Sequence, residues 1–401
     1  MKSGKLQYRT NSRDYSWSYW GLVPIYPYGQ RRTIRREVVP ERVWTFEQVQ
    51  GIFYVVVPIR MTVVRLDGEG LLVYAPIAPT KECLQLLAEL VIQYGDVKYI
   101  ILPTISGLEH KYFVPPFARR FPEALVYVAP DQWSFPVNLP LSWLGFPRKR
   151  TFVLPPHSSE TPFASQFDYQ ILPTIDLRSG YFSEVAFFDK SSQSLLATDS
   201  VVSISSEPPE VMNRDPYPLL FHAKDDALQQ IEDTPENRRK GWQRIALFAM
   251  YFQPTVLSIP SWRKVFGNAF KASDRSSTNY FGLYPFQWRE DWQQCFDSLS
   301  GNGRLFVAPI LQALIMNRAP QEVLAWADAI AQWDFQRIIP CHFTAPVAAD
   351  ARDFRASFTF LEATPQSFST HPLPTVEFKV LQGIDEILCK TRLVPPPNIK
   401  Q

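Results

Sequence analysis

Cysteine is scarce. The four present, Cys83, Cys295, Cys341 and Cys389, lie far apart with no CxxC pair, so neither a zinc ribbon nor a disulfide framework is indicated and reduced thiols are expected. Glycine, 16 of 401 residues, falls below the usual ~7%, which argues against flexible glycine linkers. Long apolar runs are missing too. The longest candidate, Ile52 to Val64, contains Pro58 and Arg60 and falls short of the ~20 residues that a membrane-spanning helix needs. The start, Met1-Lys2-Ser3-Gly4-Lys5, lacks the apolar run of a secretory signal. Net charge is only +2, and beyond residues 1–42 no segment reads as a nucleic-acid module. The expectation is a soluble, cytoplasmic protein without nucleic acid as partner.

Proline is what the chain has in excess. Its 36 residues are nearly double the usual ~5%, so rigid, proline-punctuated loops are expected, and aromatics at 14% suggest that some of them pack down. Apolar residues at 46% and charged residues at 20% are those of a globular protein with a large core.

Residues 1–42 form an aromatic and basic arm. Nine basic residues stand against three acidic ones, and Tyr15, Trp17, Tyr19, Trp20, Tyr26 and Tyr28 lie near Arg31-Arg32 and Arg35-Arg36. Such a segment can dock peripherally on an anionic membrane or on nucleic acid; the plainer expectation is an irregular arm whose rings pack on its own domain while its arginines stay in solvent.

Regular patterning starts at Val43. Gly51–Val57 and Met61–Leu66 are β-branched runs, and Asp67-Gly68-Glu69-Gly70 marks a hairpin turn before Leu71–Tyr74. Thr80 is placed to cap a helix with Cys83, Leu84, Leu87, Leu90 and Val91 on one face, stopped by Gly95. A strand at 99–103, a short helix from Phe113 to Phe121 and a strand at 124–128 follow. Beyond them an all-β stretch ends at 195–198. Residues 200–305 read as a helical insertion, with one helix beginning at Thr234-Pro235-Glu236 and another around Trp288, Trp292, Cys295 and Leu299. A last helix, Glu322 to Trp333, leads into the strand ending at His342. The domain proper is expected at 43–362, followed by a 363–401 extension whose end, from Val394, should fray. Helices lying on a sheet are the implied α/β architecture.

Three short apolar runs each end on residues able to hold a metal: Tyr99–Pro103 before Glu109-His110, Ser194–Thr198 before Asp199, and Arg337–Pro340 before Cys341-His342. Two carboxylates and two imidazoles suit zinc, iron or manganese better than copper or a cluster. Read singly, a loop histidine is an ordinary hydrogen-bonding residue and a strand-end aspartate a turn cap. Lys111, Ser106 and Thr104 are candidates for steadying an oxyanion, with loop hydrogen bonding as their plainer role. His157 and His371 read as loop histidines, while His222 in the insertion is placed to approach from above.

Taken in order, hairpin, helix, strand-loop, all-β stretch, strand-Asp, helix and strand-His resemble the metallo-β-lactamase-like superfamily over residues 43–362. The resemblance implies an αββα sandwich. Laid on the superfamily's HxHxDH pattern, Ile105 and Gly107 occupy the places of two histidines, Glu109-His110 those of the Asp-His pair, and Asp199 and His342 those of the bridging aspartate and last histidine. The middle loop, near Ser179-Gly180-Tyr181, offers no histidine. Every ligand exclusive to the first metal site is therefore absent, and a set for the second, Glu109, His110, Asp199 and His342, is present. The phrases Leu102–Lys111 and Gln132-Trp133-Ser134-Phe135-Pro136 further resemble a domain-of-unknown-function family of cyanobacteria and plastids with this fold, which adds the plastid stroma as a compartment. The resemblance implies one divalent ion, zinc ahead of iron or manganese, and a mononuclear hydrolase of esters or thioesters. The alternative is a degenerate binding or assembly protein on the same scaffold.

Overall fold

A computed structural model describes residues 11–17, 25–26, 30–52, 54–105, 109–134, 137–362 and 373–398. Its first sheet is built from β1 (Ile25–Tyr26), β2 (Ile34–Val39), β3 (Val43–Ile52), β4 (Val55–Arg65), β5 (Leu71–Tyr74), β6 (Val97–Leu102), β7 (Leu125–Val128) and β8 (Thr151–Val153). Strands β2 to β5 pair antiparallel and β5 to β8 parallel. The crossovers are α1 (Lys81–Tyr94) and α2 (His110–Ala118). The Thr80 side chain accepts from the Cys83 N–H and Gly95 stops α1 at φ 92°, as the sequence predicts.

The second sheet runs β17-β16-β13-β12-β9, from β9 (Phe167–Ile171), β12 (Val185–Asp189), β13 (Ser194–Ala197), β16 (Arg337–Pro340) and β17 (Val347–Ala348), with the hairpin β10 (Ile175–Asp176) and β11 (Tyr181–Phe182) beside it. Between β13 and the last helices come α3 (Glu210–Asn213), α4 (Tyr217–Ala223), α5 (Pro235–Tyr251), α6 (Trp262–Lys271) and α7 (Trp292–Ser300), plus the pair β14 (Leu257–Ser258) and β15 (Gln287–Trp288). Helices α8 (Pro309–Leu314), α9 (Pro320–Ile330), α10 (Ala351–Ala356) and α11 (Lys379–Lys390) complete the chain.

Alternation along the strands sets the layers, because successive side chains leave opposite faces. In the first sheet Val63, Val73, Ile100 and Val126 pack with Leu87 of α1 and Phe117 of α2. Their neighbours Val64, Tyr74, Ile101 and Tyr127 face Phe187, Leu196 and Ile339 of the second sheet. On that sheet's far side, Phe188, Leu195 and Ile338 meet Trp242 of α5 and Trp326 of α9. Each fully buried Phe or Leu in these layers contributes ~1.5–3 kcal/mol. The order of layers is αββα, as the resemblance implies.

Four local expectations are corrected. Pro58 does not split a strand: β4 runs through it opposite Val49, because the β5 ladder covers only Thr62–Arg65 and the flank beside Pro58 carries an isolated bridge, Ile59 to His342, in place of a ladder that would need its N–H. The arginines expected in solvent are engaged, since Ile34–Val39 adds a strand along β3, Arg31 is buried and Arg32 pairs with Glu82 at 3.1 Å. Trp288 belongs to β15, and the helix expected to include it starts at Trp292. The tail docks rather than frays: Val394 is buried, Arg318 donates to the Pro395 carbonyl at 2.9 Å, and the Asn398 N–H donates to the Asn317 carbonyl at 2.9 Å.

Candidate metal centre

Three strands deliver the site from their carboxyl ends. Glu109 immediately precedes α2 and His110 is its first residue, a short loop after β6 ends at Leu102. Strands β13 and β16 are parallel with Ala197 opposite Pro340, so Asp199 and His342, each two residues further on, emerge at one level. The Oδ1 of Asp199 lies 3.3 Å, and the Oε2 of Glu109 2.9 Å, from Nε2 of His342. The imidazoles of His110 and His342 are 6.3 Å apart. Ligand atoms of Glu109, His110 and His342 all lie within 4.8 Å of one another. All four predicted residues thus share one rim, with Asp199 outside the tightest group of three.

Both histidines are held by the same device. Nδ1 of His110 lies 3.1 Å from the Pro76 carbonyl and Nδ1 of His342 2.9 Å from the Pro58 carbonyl. A carbonyl can only accept, so each Nδ1 carries the hydrogen and a neutral ring directs its Nε2 lone pair at the site. Among the described residues Nε2 of His110 is buried without a hydrogen-bond partner, a costly state for a polar atom that a cation would relieve. The donor set of two imidazoles and carboxylate oxygen fits a borderline divalent ion.

Burial pushes the His110 imidazolium down. Burial also acts against the charged form of His342, yet the Glu109 and Asp199 carboxylates outweigh it and hold that imidazolium well above 6.5. For Glu109, burial raises the pKa but His342, His110 and Gln50 together bring it below the ordinary carboxylate range. Without a cation, the His342 proton bridges two carboxylates.

The site opens into a cleft of ≈ 510 Å³ walled by Val55, Val57, Phe182, Met250, Leu311 and Phe343; among the described residues neither Lys nor Arg lines it. Lys111 takes its plainer role, donating to the carbonyls of Ile105 at 3.1 Å and Trp133 at 2.6 Å, with its pKa lowered to about 8 by burial. Thr104 lines the cleft. Ser106, Gly107 and His371 lie outside the described residues, and His157 is exposed. Ile105 is wholly buried in the core between the sheets. His222 does not approach the site: α4 buries it in an aromatic cluster, 5.0 Å from Phe286, with Nε2 3.0 Å from the Tyr54 carbonyl. Cys341, beside His342, also turns into the inter-sheet core, where burial raises its thiol pKa.

Residues 40–360 match a family model described as a domain of unknown function, DUF4336. The chain belongs to this family. A search of curated proteins returns no significant match for this DUF4336 chain. Among solved structures, a metal-soaked Flv1 flavodiiron core from Synechocystis sp. PCC6803 is similar with TM-score 0.40 at 10% identity, over 82% of this chain and 61% of that one. A flavoprotein from Thermotoga maritima gives 0.41 at 9%, over 84% and 63%. DIM-1 metallo-β-lactamase exposed to ceftazidime gives 0.38 at 9%, over 82% and 96%. The DUF4336 chain spans less than two thirds of the flavodiiron core and of the flavoprotein.

Several residues that support this DUF4336 site are not evident from local sequence pattern. Glu184, fully buried, accepts from the backbone N–H groups of Thr198 (2.7 Å), Asp199 (3.0 Å) and Ser200 (2.8 Å), fixing the turn that presents Asp199. Burial and the Asp199 charge raise its pKa. Arg60, buried in β4, pairs with Glu47 at 2.9 Å and donates to the carbonyls of Pro340 and Phe343, gripping the His342 turn on both sides. Arg31 donates to Gln50 at 3.1 Å, and Gln50 hydrogen-bonds Glu109. For Arg60 there was a signal: a lone arginine inside a β-branched run requires a buried partner.

Proposed function

We propose that this protein is a metal-dependent hydrolase holding one divalent ion, zinc ahead of iron or manganese, between Glu109, His110 and His342, with Asp199 at its edge. The observation that carries this reading is the convergence of two Nε2 atoms, each fixed by its ring's Nδ1 hydrogen bond, and a carboxylate below an open cleft. Three protein ligands leave a coordination position for chemistry, and a divalent ion bound there supplies Lewis acidity toward a carbonyl and toward water. Asp199, outside the triad and braced by Glu184, is placed to take the proton from an attacking water. We expect Asp199→Asn to lower kcat by about 10²–10³, the scale of a lost general base, while the metal content of purified protein stays unchanged. Loss of the metal from that variant would make Asp199 a ligand instead.

The cleft favours an ester or thioester with a small apolar acyl group. Its walls are aliphatic and aromatic, and a phosphoester would meet two carboxylates with no lining cation among the described residues. Going from p-nitrophenyl acetate to the butyrate adds two methylenes, each worth ~0.8 kcal/mol on burial, so kcat/KM should rise roughly tenfold. A flat chain-length profile, or faster cleavage of a phosphodiester, would remove this substrate class.

Metal uptake should depend on pH through His342. Its folded pKa is raised above 6.5, so the metal-free protein retains that proton at neutral pH and binding must expel it. About one proton per ion should be released at pH 7, read by titration calorimetry in buffers of different ionisation heat, and affinity should climb as pH rises toward the raised value. Stability runs the opposite way in the metal-free protein. The His342 contribution is complete below 6.5 and disappears as pH rises through its folded pKa, whereas that of Glu109 is present above 4.5 and disappears as pH falls through its lowered value.

The second reading, a degenerate binding or assembly protein, rests on Ile105: a buried isoleucine stands where the resemblance places a ligand. Metal retention without turnover of any acyl ester, and an unchanged cellular phenotype for His110→Ala, would favour it.

A further inference from the structure

Helix α6 leaves its aromatic residues in solvent. Trp262, Phe266 and Phe270 are 60%, 51% and 75% exposed, while Val265 and Ala269 alone among its residues are buried. The three rings stand at i, i+4 and i+8 and fall within ~80° of one another on a helix of 3.6 residues per turn. Arg263 borders that stripe, and Lys271 and Lys264 lie further round on the same side, ~100–120° beyond Phe270. From Trp262 to Arg275 there are four basic residues and one acidic, Asp274. None of the four cations forms an ion pair among the described residues. Asp274 is occupied locally, accepting from the Ser276 N–H at 2.8 Å.

The adjoining turn extends the patch. Tyr280 and Phe281 both have left-handed backbone, φ 47° and 57°, a conformation rare for aromatic residues. It sends Tyr280 inward and leaves Phe281 61% exposed. Gly282 makes this close seat possible, since a Cβ there would lie 2.9 Å from that of Ala272.

We propose that α6 and the Phe281 turn dock this protein on an anionic membrane surface, the helix lying in the headgroup plane with its rings at the acyl boundary. A Trp/Phe face, a Lys/Arg-bearing polar face and low overall hydrophobicity mark an interfacial helix. The free cations complement anionic headgroups. No described helix is long and apolar enough to cross a membrane, so docking is peripheral. The proposal is independent of the metal reading.

Flotation of the full chain with vesicles tests it. Binding is expected to vesicles of equal parts phosphatidylglycerol and phosphatidylcholine, and not to phosphatidylcholine alone. The Trp262→Ser/Phe266→Ser/Phe270→Ser variant should bind about tenfold more weakly or less, and Arg263→Glu/Lys264→Glu/Lys271→Glu should lose the preference for anionic lipid. Both sets lie on the surface, and thermal unfolding like that of the parent protein would establish that they fold. No binding by the parent protein overturns the proposal, as does undiminished binding by both folded variants, which would place any contact elsewhere, the N-terminal arm included.

Discussion

Replacing His342 by alanine should lower metal affinity at least about a hundredfold and abolish turnover with it. Nε2 of His342 lies within reach of Glu109 and Asp199, and Nδ1 is tied to β4 through Pro58, so the ring both donates to a cation and sets the distance between the two carboxylates. Its removal leaves Glu109 and Asp199 as neighbouring anions with no imidazole between them. Altering only a group that orients a metal ligand already costs 10- to 100-fold; losing the ligand should cost more. Competition against a chromophoric chelator measures this on metal-free protein. His110→Ala should behave alike; it removes a buried Nε2 that has no partner among the described residues and leaves the Pro76 carbonyl without its donor. Unchanged affinity in both variants would place the metal elsewhere.

The second large effect is expected at Arg60. Its side chain and that of Glu47 are 1% and 2% exposed, so Arg60→Ala strands a carboxylate inside the sheet, at a cost of about 3–5 kcal/mol. It also frees the carbonyls of Pro340 and Phe343 on either side of His342. The paired substitution Arg60→Met/Glu47→Leu separates these consequences. Replacing a buried ion pair by apolar residues of similar volume is often close to neutral, so chemical unfolding should recover most of the lost stability. Metal affinity should stay weakened, because the His342 turn is still unheld. Full recovery of both would show that Arg60 serves folding alone.

The contrast between these predictions follows what the sequence makes legible. Periodicity and capping are local, so α1, with Thr80 before it and Gly95 after it, could be read directly, as could the strands that end before Glu109, Asp199 and His342. The layer order follows from the same two-residue alternation once it is known which elements pair. The supports are different in kind. Arg60 reaches Pro340 and Phe343 across some 280 positions, and Glu184 serves a turn 14 to 16 residues away. No spacing rule foretells which buried charge meets which carbonyl. His222 misled for a related reason: a histidine on α4 can turn toward the site or into a cluster of rings, and packing against Phe248 and Phe286 decided it. Asp199 shows the remaining limit. Its place at a strand end is readable, but its position outside the group formed by Glu109, His110 and His342 depends on ångström-scale geometry.

The central claim is that Glu109 and His110, adjacent in the chain, and the distant His342 hold one ion without help from sulfur. X-ray absorption at the metal edge, on tag-free protein reconstituted with zinc, tests it most directly. The account predicts one ion per chain with about two imidazole nitrogens and oxygen donors at ~2.0–2.2 Å. A sulfur shell near ~2.3 Å, or failure to take up a stoichiometric ion, would contradict it.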